Sequence, residues 1–266
     1  METTLELPSL SKSYELVKLL TFPAYAYVTY LSFFSSFSDG CIKIIGGHTG
    51  APHSRPFMAA IRKGRSTVCG GALTEKTWIL TAAHCKLMGR TELKVVLGAH
   101  QPSIAEKEQQ IFKVLRHSSN PQFNSSSKEN DMMLLKLNGS GNLNQYVALL
   151  PLPSCDEDIK AGTKCQVASW GLTSSGKPSK YLKEATVKVI NRKTCSRNYK
   201  KQIKITNNML CAGWNNAFSK SDACQGDSGG PLICPGKYSG IISFGKGCRK
   251  MRKPGVYTRL TEKYLH

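Results

Sequence analysis

Short apolar runs separated by turn residues constrain this chain more than any other feature. The stretches "KVVLGAH", "MMLLKL", "CQVASWG", "TVKVIN" and "YSGIISFG" each have the length of a strand. Glycine and proline are spread along the chain, as many short strands and turns require. No long amphipathic helical pattern and no internal repeat of about 20–50 residues accompanies them. The expectation is an all-β fold, a barrel or a sandwich. Hydrophobic residues make up 40% of the 266 and charged residues 20%, which suits a cored globular chain rather than a disordered one.

Ten cysteines are dispersed through the sequence, with no CxxC pair and no Cys/His cluster at zinc spacing. In a chain of this length they point to disulfides and an oxidising compartment, hence to export. Residues 1–43 read either as an atypical leader or as a stretch that does not represent the protein's true start. Glu2, Glu6 and Glu15 stand where positive charge is expected, and Lys18 and Pro23 interrupt the apolar part, so no stable membrane span is expected there. Residues 1–43 are therefore set apart as a signal and propeptide region, and 44–266 as the folded domain. Asn124 and Asn138 each open an N-glycan acceptor triplet.

The formal net charge is +20. Lys and Arg gather in "RNYKKQIK", from Arg197 to Lys204, and in "KGCRKMRK", from Lys246 to Lys253. Neither has the interleaved aromatics of a single-strand nucleic-acid binder. The balance suits attraction to a polyanion, acidic proteoglycan above all, with nucleic acid bound at most nonspecifically.

Three stretches carry chemistry. A serine hydroxyl becomes a useful nucleophile when a histidine takes its proton and a buried acid orients that histidine. "GDSGG" places Ser228 between glycines that let the backbone turn tightly and approach a substrate carbonyl. The N–H groups of Gly226 and Ser228 would then form an oxyanion hole. "TAAHC" sets His84 beside a cysteine that can anchor it, and "KENDMMLLKL" sets Asp131 at the head of an apolar strand. Each piece alone has a bland reading. Together, in the order His, Asp, Ser, they do not.

With these residues in place, the chain resembles the chymotrypsin/trypsin family of serine proteases. The resemblance runs from Ile44 to the end, through "IIGG", "CGGALTEKTWILTAAHC", "NDMMLLKL", "SWG", "CQGDSGGPLIC" and "PGVYTRL". It implies two six-stranded antiparallel β-barrels with the active site in the cleft between them. His84 and Asp131 would come from the first barrel and Ser228 from the second. It implies activation by a cut between Lys43 and Ile44, the freed ammonium pairing with Asp227. It places Asp222 at the floor of the primary pocket, Gly245 and Gly255 on its walls, and Ser243 on the segment that pairs with substrate, hence cleavage after Arg or Lys. "KGCRKMRK" would rim that pocket and favour acidic or polyanion-bound substrates. The layout Cys41, Ile42-Lys43, Ile44, with "APHSRPFMA" and "VVLGAHQ", is similar to granzymes A and K.

The same resemblance pairs Cys69 with Cys85, Cys165 with Cys234, Cys195 with Cys211 and Cys224 with Cys248, leaving Cys41 and Cys155 over. It also leads one to expect a C-terminal helix, of which the ending "EKYLH" leaves little room. The functional expectation is a granule-stored, granzyme-like serine endopeptidase, needing no metal or cofactor, secreted or held in cytotoxic or secretory granules. Its partners would be protein substrates, acidic proteoglycans and protease inhibitors. Alternatives are another secreted trypsin-like protease, mast-cell or digestive, or an inactive basic binding protein on the same fold.

Overall fold

The computed structural model describes residues 42–45, 47–88, 92–154, 156–171, 179–199, 203–213, 222–224, 227–245 and 254–261. All of them lie within one compact unit, Gly40–His266. The chain enters through β1 (Ile42–Ile45) and the short β2 (His48–Thr49). A first barrel follows, built from β3 (Met58–Lys63), β4 (Ser66–Glu75), β5 (Trp78–Thr81), β6 (Leu93–Leu97), β7 (Gln110–Ser119) and β8 (Met133–Leu137). Its strand order is β3-β4-β5-β8-β7-β6, closed by the pairing of β3 with β6.

The second barrel uses β9 (Lys164–Ser169), β10 (Lys183–Ile190) and β11 (Met209–Gly213). Next in the chain, β12 (Asp222–Cys224) pairs with β1 instead of joining the barrel. The barrel is completed by β13 (Pro231–Cys234), β14 (Lys237–Phe244) and β15 (Gly255–Arg259). The order β11-β15-β14-β13-β9-β10 closes through β10 and β11, with β2 added at β10. Every registered strand pair is antiparallel. The expected all-β fold of two six-stranded barrels is the one found. A helix of eight residues, α1 (Arg192–Tyr199), follows β10. Its Cys195 and Tyr199 turn inward, and Cys195 is bonded to Cys211.

Alternation explains why these runs form barrel walls. In β8, Met133, Leu135 and Leu137 are buried, whereas Leu134 is exposed and Lys136 half-buried. In β10, Val187 and Val189 point inward and Thr186 and Lys188 outward. Successive side chains on a strand face opposite ways, so a period of two lines each barrel with apolar groups. Each fully buried Leu, Ile or Val contributes about 1.5–3 kcal/mol. Lys136 stays on the outer wall, its Nζ 4.7 Å from the centre of the Trp78 ring and donating to Thr77 Oγ1 at 2.8 Å.

The two barrels meet over shared side chains. Met58, Ala60 and Val96 of the first pack with Ala168, Trp170 and Leu182 of the second. Tyr238 is completely buried, its hydroxyl donating to Leu80 O at 3.3 Å, and burial pushes its phenol above the ordinary value. One loop of the first barrel also reaches across: His100 O accepts from Trp170 Nε1 at 3.0 Å and from Leu182 N at 3.2 Å.

That loop is held from inside by Glu106. Its carboxylate accepts from the N–H groups of His100 and Gln101 and from Gln109 Nε2, at 2.8–3.1 Å. Burial raises the Glu106 pKa, but the Gln109 side chain and the two backbone donors outweigh it and hold the group below the usual glutamate value. The linkage therefore has the depressed-acid sign. The stabilisation is full above the unfolded pKa and is lost as pH falls through the lower folded one. Glu106→Gln is expected to cost about 1 kcal/mol at neutral pH. In thermal melts the difference from the parent should close as pH falls below about 4. A difference that persists unchanged in acid would contradict this assignment.

Candidate active site

His84 lies in a short 3-10 helix, Ala83–Met88, that begins just past the end of β5. A disulfide from the next residue, Cys85, to Cys69 ties this turn to β4. Asp131 stands two residues before β8, after Asn130, whose φ of 56° is a left-handed conformation that asparagine tolerates. Asn130 is fixed there, donating Nδ2 to Gln122 O at 3.2 Å and accepting from Asn208 Nδ2 at 3.1 Å. The turn therefore aims the Asp131 side chain into the molecule, where it is fully buried.

Three donors converge on that carboxylate. The His84 backbone N–H donates to Oδ1 at 2.9 Å, and His84 Nδ1 lies 2.7 Å from Oδ2. Ser243 Oγ, on β14 of the second barrel, donates to Oδ2 at 2.5 Å. Thr258 Oγ1, on β15, donates to the Asp131 carbonyl at 2.9 Å. Gripped by both oxygens, the acid fixes the position and the ring orientation of the histidine, whose side chain stays 12% exposed.

Ser228 arrives from the second barrel, in the turn before β13. Its carbonyl accepts from Gly70 N on β4 at 2.8 Å. Gly70 is the neighbour of Cys69, Cys69 is bonded to Cys85, and Cys85 is the neighbour of His84. Serine and histidine are thus brought together through backbone and one disulfide. Among the described residues Ser228 Oγ makes no hydrogen bond to the His84 ring, and such contacts often tighten only with substrate bound.

Gly229 makes the approach possible. Its φ of 81° suits glycine, and a Cβ there would lie 2.2 Å from Thr81 Oγ1 and 2.5 Å from Gly70 O. Thr81 Oγ1 already donates to Gly70 O at 2.7 Å. The turn is closed by Gly230 N to Asp227 O and Gly229 N to Ile242 O, both 2.9 Å. Asp227 is fully buried, and its Oδ1 accepts from Gly171 N at 3.0 Å.

The remaining expected residues stand as follows. Ile45 faces Asp222 and Ile42 faces Cys224 in the β1–β12 pair, so the backbone around Lys43 and Ile44 runs beside the strand of Asp222. Gly245 directly follows β14 and Gly255 opens β15, whose partners include β14. Cys165 is bonded to Cys234 and Cys195 to Cys211. Gly226, the Asp222, Cys224 and Cys248 side chains, Cys41, Cys155, "KGCRKMRK" and the end of the chain lie outside the described residues. Asn124 and Asn138 are both exposed. Among the described residues no group of three or more His, Cys, Asp or Glu side chains is placed to hold a metal ion. Sequence reading missed the grip of Ser243 on Asp131, having assigned that residue to substrate. It also missed Thr258, Gly171 and Gly70. Each is an ordinary residue whose role appears only when the two barrels are docked.

The sequence profile of the family described as Trypsin matches residues 44–266. The chain belongs to the trypsin family of serine proteases. It is 43% identical over 234 residues to Granzyme A of Bos taurus, covering 86% of this chain and 88% of the relative. It is 40% identical over 223 residues to Mast cell protease 3 of Ovis aries, covering 82% and 85%. It is 38% identical over 226 residues to Trypsin of Sus scrofa, covering 84% and 93%. Among solved structures it is similar to neuropsin, a serine protease of the limbic system of mouse brain. There the TM-score is 0.73 and the identity 37%, over 82% of this chain and 95% of that one. Within this trypsin-family fold the Gly229 contact is the tightest steric constraint among the described glycines of the site. Gly229→Ala is expected to destabilise the protein by about 3 kcal/mol or more, with the loss appearing in urea unfolding. A variant within about 0.5 kcal/mol of the parent would mean that the two barrels can separate locally at little cost.

Proposed function

We propose that this chain is a serine endopeptidase that cleaves proteins after Arg or Lys, made as a precursor and switched on at Lys43-Ile44. The observation that carries the reading is His84 held by both oxygens of Asp131, with the backbone of Ser228 seated on the strand that is disulfide-bonded beside that histidine. With Nδ1–H directed at the carboxylate, the Nε2 lone pair is free to take a proton.

Ser228 Oγ attacks the scissile carbonyl carbon while His84 removes its proton. The tetrahedral oxyanion is received by the N–H groups of Gly226 and Ser228. The C–N bond breaks as the leaving amine takes the proton from His84, which leaves an ester on Ser228. Water, deprotonated by the same imidazole, then hydrolyses the ester. Asp131 does not itself receive the proton; its charge stabilises the imidazolium. Asp222 supplies the negative charge for a guanidinium or ammonium, Gly245 and Gly255 leave the pocket wide, and the strand from Ser243 pairs with the substrate backbone.

Before the cut, the segment from Ile42 is a strand beside β12. After it, the new ammonium of Ile44 would complement the charge of the buried Asp227. Granule storage on acidic proteoglycan, of the granzyme A or K kind, is supported by the +20 charge and by the 43% identity to bovine Granzyme A. Export, control by protease inhibitors and glycans on Asn124 and Asn138 complete the reading.

The test uses the chain with a removable block ahead of Ile44, assayed before and after unblocking on peptides that differ only in Arg, Lys, Phe or Asp before the cut. Activity should appear on unblocking, only after Arg and Lys. It should fall by about 10³-fold or more in Ser228→Ala. Asp222→Ser should abolish the preference for basic residues. A folded, unblocked protein that cleaves none of the four would contradict the proposal.

A further inference from the structure

The segment that follows the proposed cut is held by one carboxylate. Glu184, on β10, is buried, and both of its oxygens accept hydrogen bonds. Ser54 Oγ donates to Oε1 at 2.6 Å and Arg55 Nη2 to Oε2 at 2.7 Å. Gly50 lies against the same group, and a Cβ there would stand 2.2 Å from Oε1. The Gly50 N–H donates to Leu182 O at 3.0 Å. In the β2–β10 ladder Thr49 faces Lys183 and His48 faces Glu184, and Lys183 Nζ donates to Thr49 Oγ1 at 2.6 Å. On the other side β9 sets the apolar Ala168 opposite Glu184. Arg55, Lys183 and His48 are thus the charged or titratable groups described around the carboxylate. Beyond Arg55 the chain joins the first barrel, where Pro56 O accepts from Ala148 N at 3.1 Å and Phe57 O from Leu73 N at 2.9 Å.

All of these contacts are already made in the uncut chain. A cut at Lys43-Ile44 therefore frees only the stretch ahead of Thr49. From Ile44 to Thr49 is five residue steps, a reach of at most about 18 Å. A short tether with a fixed origin raises the effective concentration of the ammonium at its acid, and a loosened origin lowers it.

We propose that Glu184 is a positioning residue of the activation switch. By holding Ser54, Arg55 and the Gly50 backbone, it fixes the point from which the new Ile44 ammonium reaches Asp227. The inference rests on the proposed pairing of Ile44 with Asp227 and adds the group that makes the pairing efficient. The described contacts of Glu184 include none of His84, Asp131 and Ser228.

An α-amino group free in solvent titrates at about 7.7–8.0. Pairing with Asp227 raises that value, so the active state is full below the free value and is lost as pH rises through the raised one. Where insertion is strongly favoured, a tenfold weaker insertion lowers the alkaline midpoint by about one pH unit.

The experiment uses the full chain with the removable block ahead of Ile44, assayed after unblocking. The substrate is an arginyl peptide, whose charge is constant between about pH 7 and about pH 11. Glu184→Ala should lower the alkaline midpoint of kcat/KM by about one pH unit while kcat at about pH 7 stays within about twofold of the parent. Gly50→Ala keeps the charge and pushes the carboxylate off its partners. It should reproduce the shift, and Glu184→Ala/Gly50→Ala should add nothing to it. It also carries the test should Glu184→Ala not fold. Glu106→Gln, which loosens a different loop, should leave the midpoint in place. Thermal melts check that each variant is folded. A midpoint unchanged in both Glu184→Ala and Gly50→Ala would overturn the anchor and leave the activation switch standing. An equal shift in Glu106→Gln would reduce Glu184 to general stability and overturn the proposal as well. A folded parent that stays silent on unblocking would overturn the activation reading and this inference with it.

Discussion

The buried carboxylate of Asp131 is the constraint on which the rest of this structure depends. A carboxylate with no solvent contact costs several kcal/mol unless donors surround it. Here the donors come from both barrels: the backbone and ring of His84 from the first, and Ser243 Oγ from the second, with Thr258 fixing the residue's own carbonyl. The second barrel has an apolar interior of its own, and that of the first continues into Ile233, Tyr238 and Ile241 on β13 and β14. What neither can do alone is satisfy this acid. The relative placement of the barrels is therefore fixed by a polar group more sharply than by the apolar contacts around Trp170, because hydrogen bonds are directional and hydrophobic contact is not.

Close packing of glycine supplies the complementary limit. Asp131 draws the two barrels together, and the Ser228 turn sets how near they come. Gly70 and Gly230 approach so closely that a Cβ on Gly70 would lie 3.1 Å from the Gly230 Cα, and Gly229 has no room for a side chain at all. The disulfide between Cys69 and Cys85 holds the receiving surface rigid on the first-barrel side. Attraction at one point and contact at another define one docking geometry. That geometry puts the backbone of the serine against the strand that anchors the histidine.

Much of this was legible in the sequence, for reasons that can be named. "TVKVIN" alternates because its strand has one wet face, and "MMLLKL" is a short apolar run of strand length, so strands could be read locally. Alternation cannot separate a barrel from a sandwich, since both bury one face. Closure depends on the long-range pairings β3–β6 and β10–β11, and only the resemblance of the motifs supplied it. The same resemblance anticipated the three disulfides found among the described residues. The helix Arg192–Tyr199 leaves no legible signal, because eight residues with two buried positions give too short a pattern. Ser243 lies 112 residues from Asp131, and no local signal marks a serine as a donor to a distant acid. Glu106 was equally silent, being one charged residue in a charged loop until the backbone folds around it.

The most direct test of the central claim replaces the Asp131 carboxylate with its isosteric amide. Asp131→Asn keeps the shape and removes the charge, so it separates holding the histidine from merely filling space. The measurement is kcat on an arginyl peptide after activation, with a thermal melt of the same preparation. In the Ser-His-Asp template the equivalent change lowers kcat by about 10⁴ while the geometry survives. The account predicts a folded protein with a loss of that order and KM nearly unchanged. A folded variant with kcat within about tenfold of the parent would contradict it, and would mean that Asp131 organises the barrels without serving the reaction.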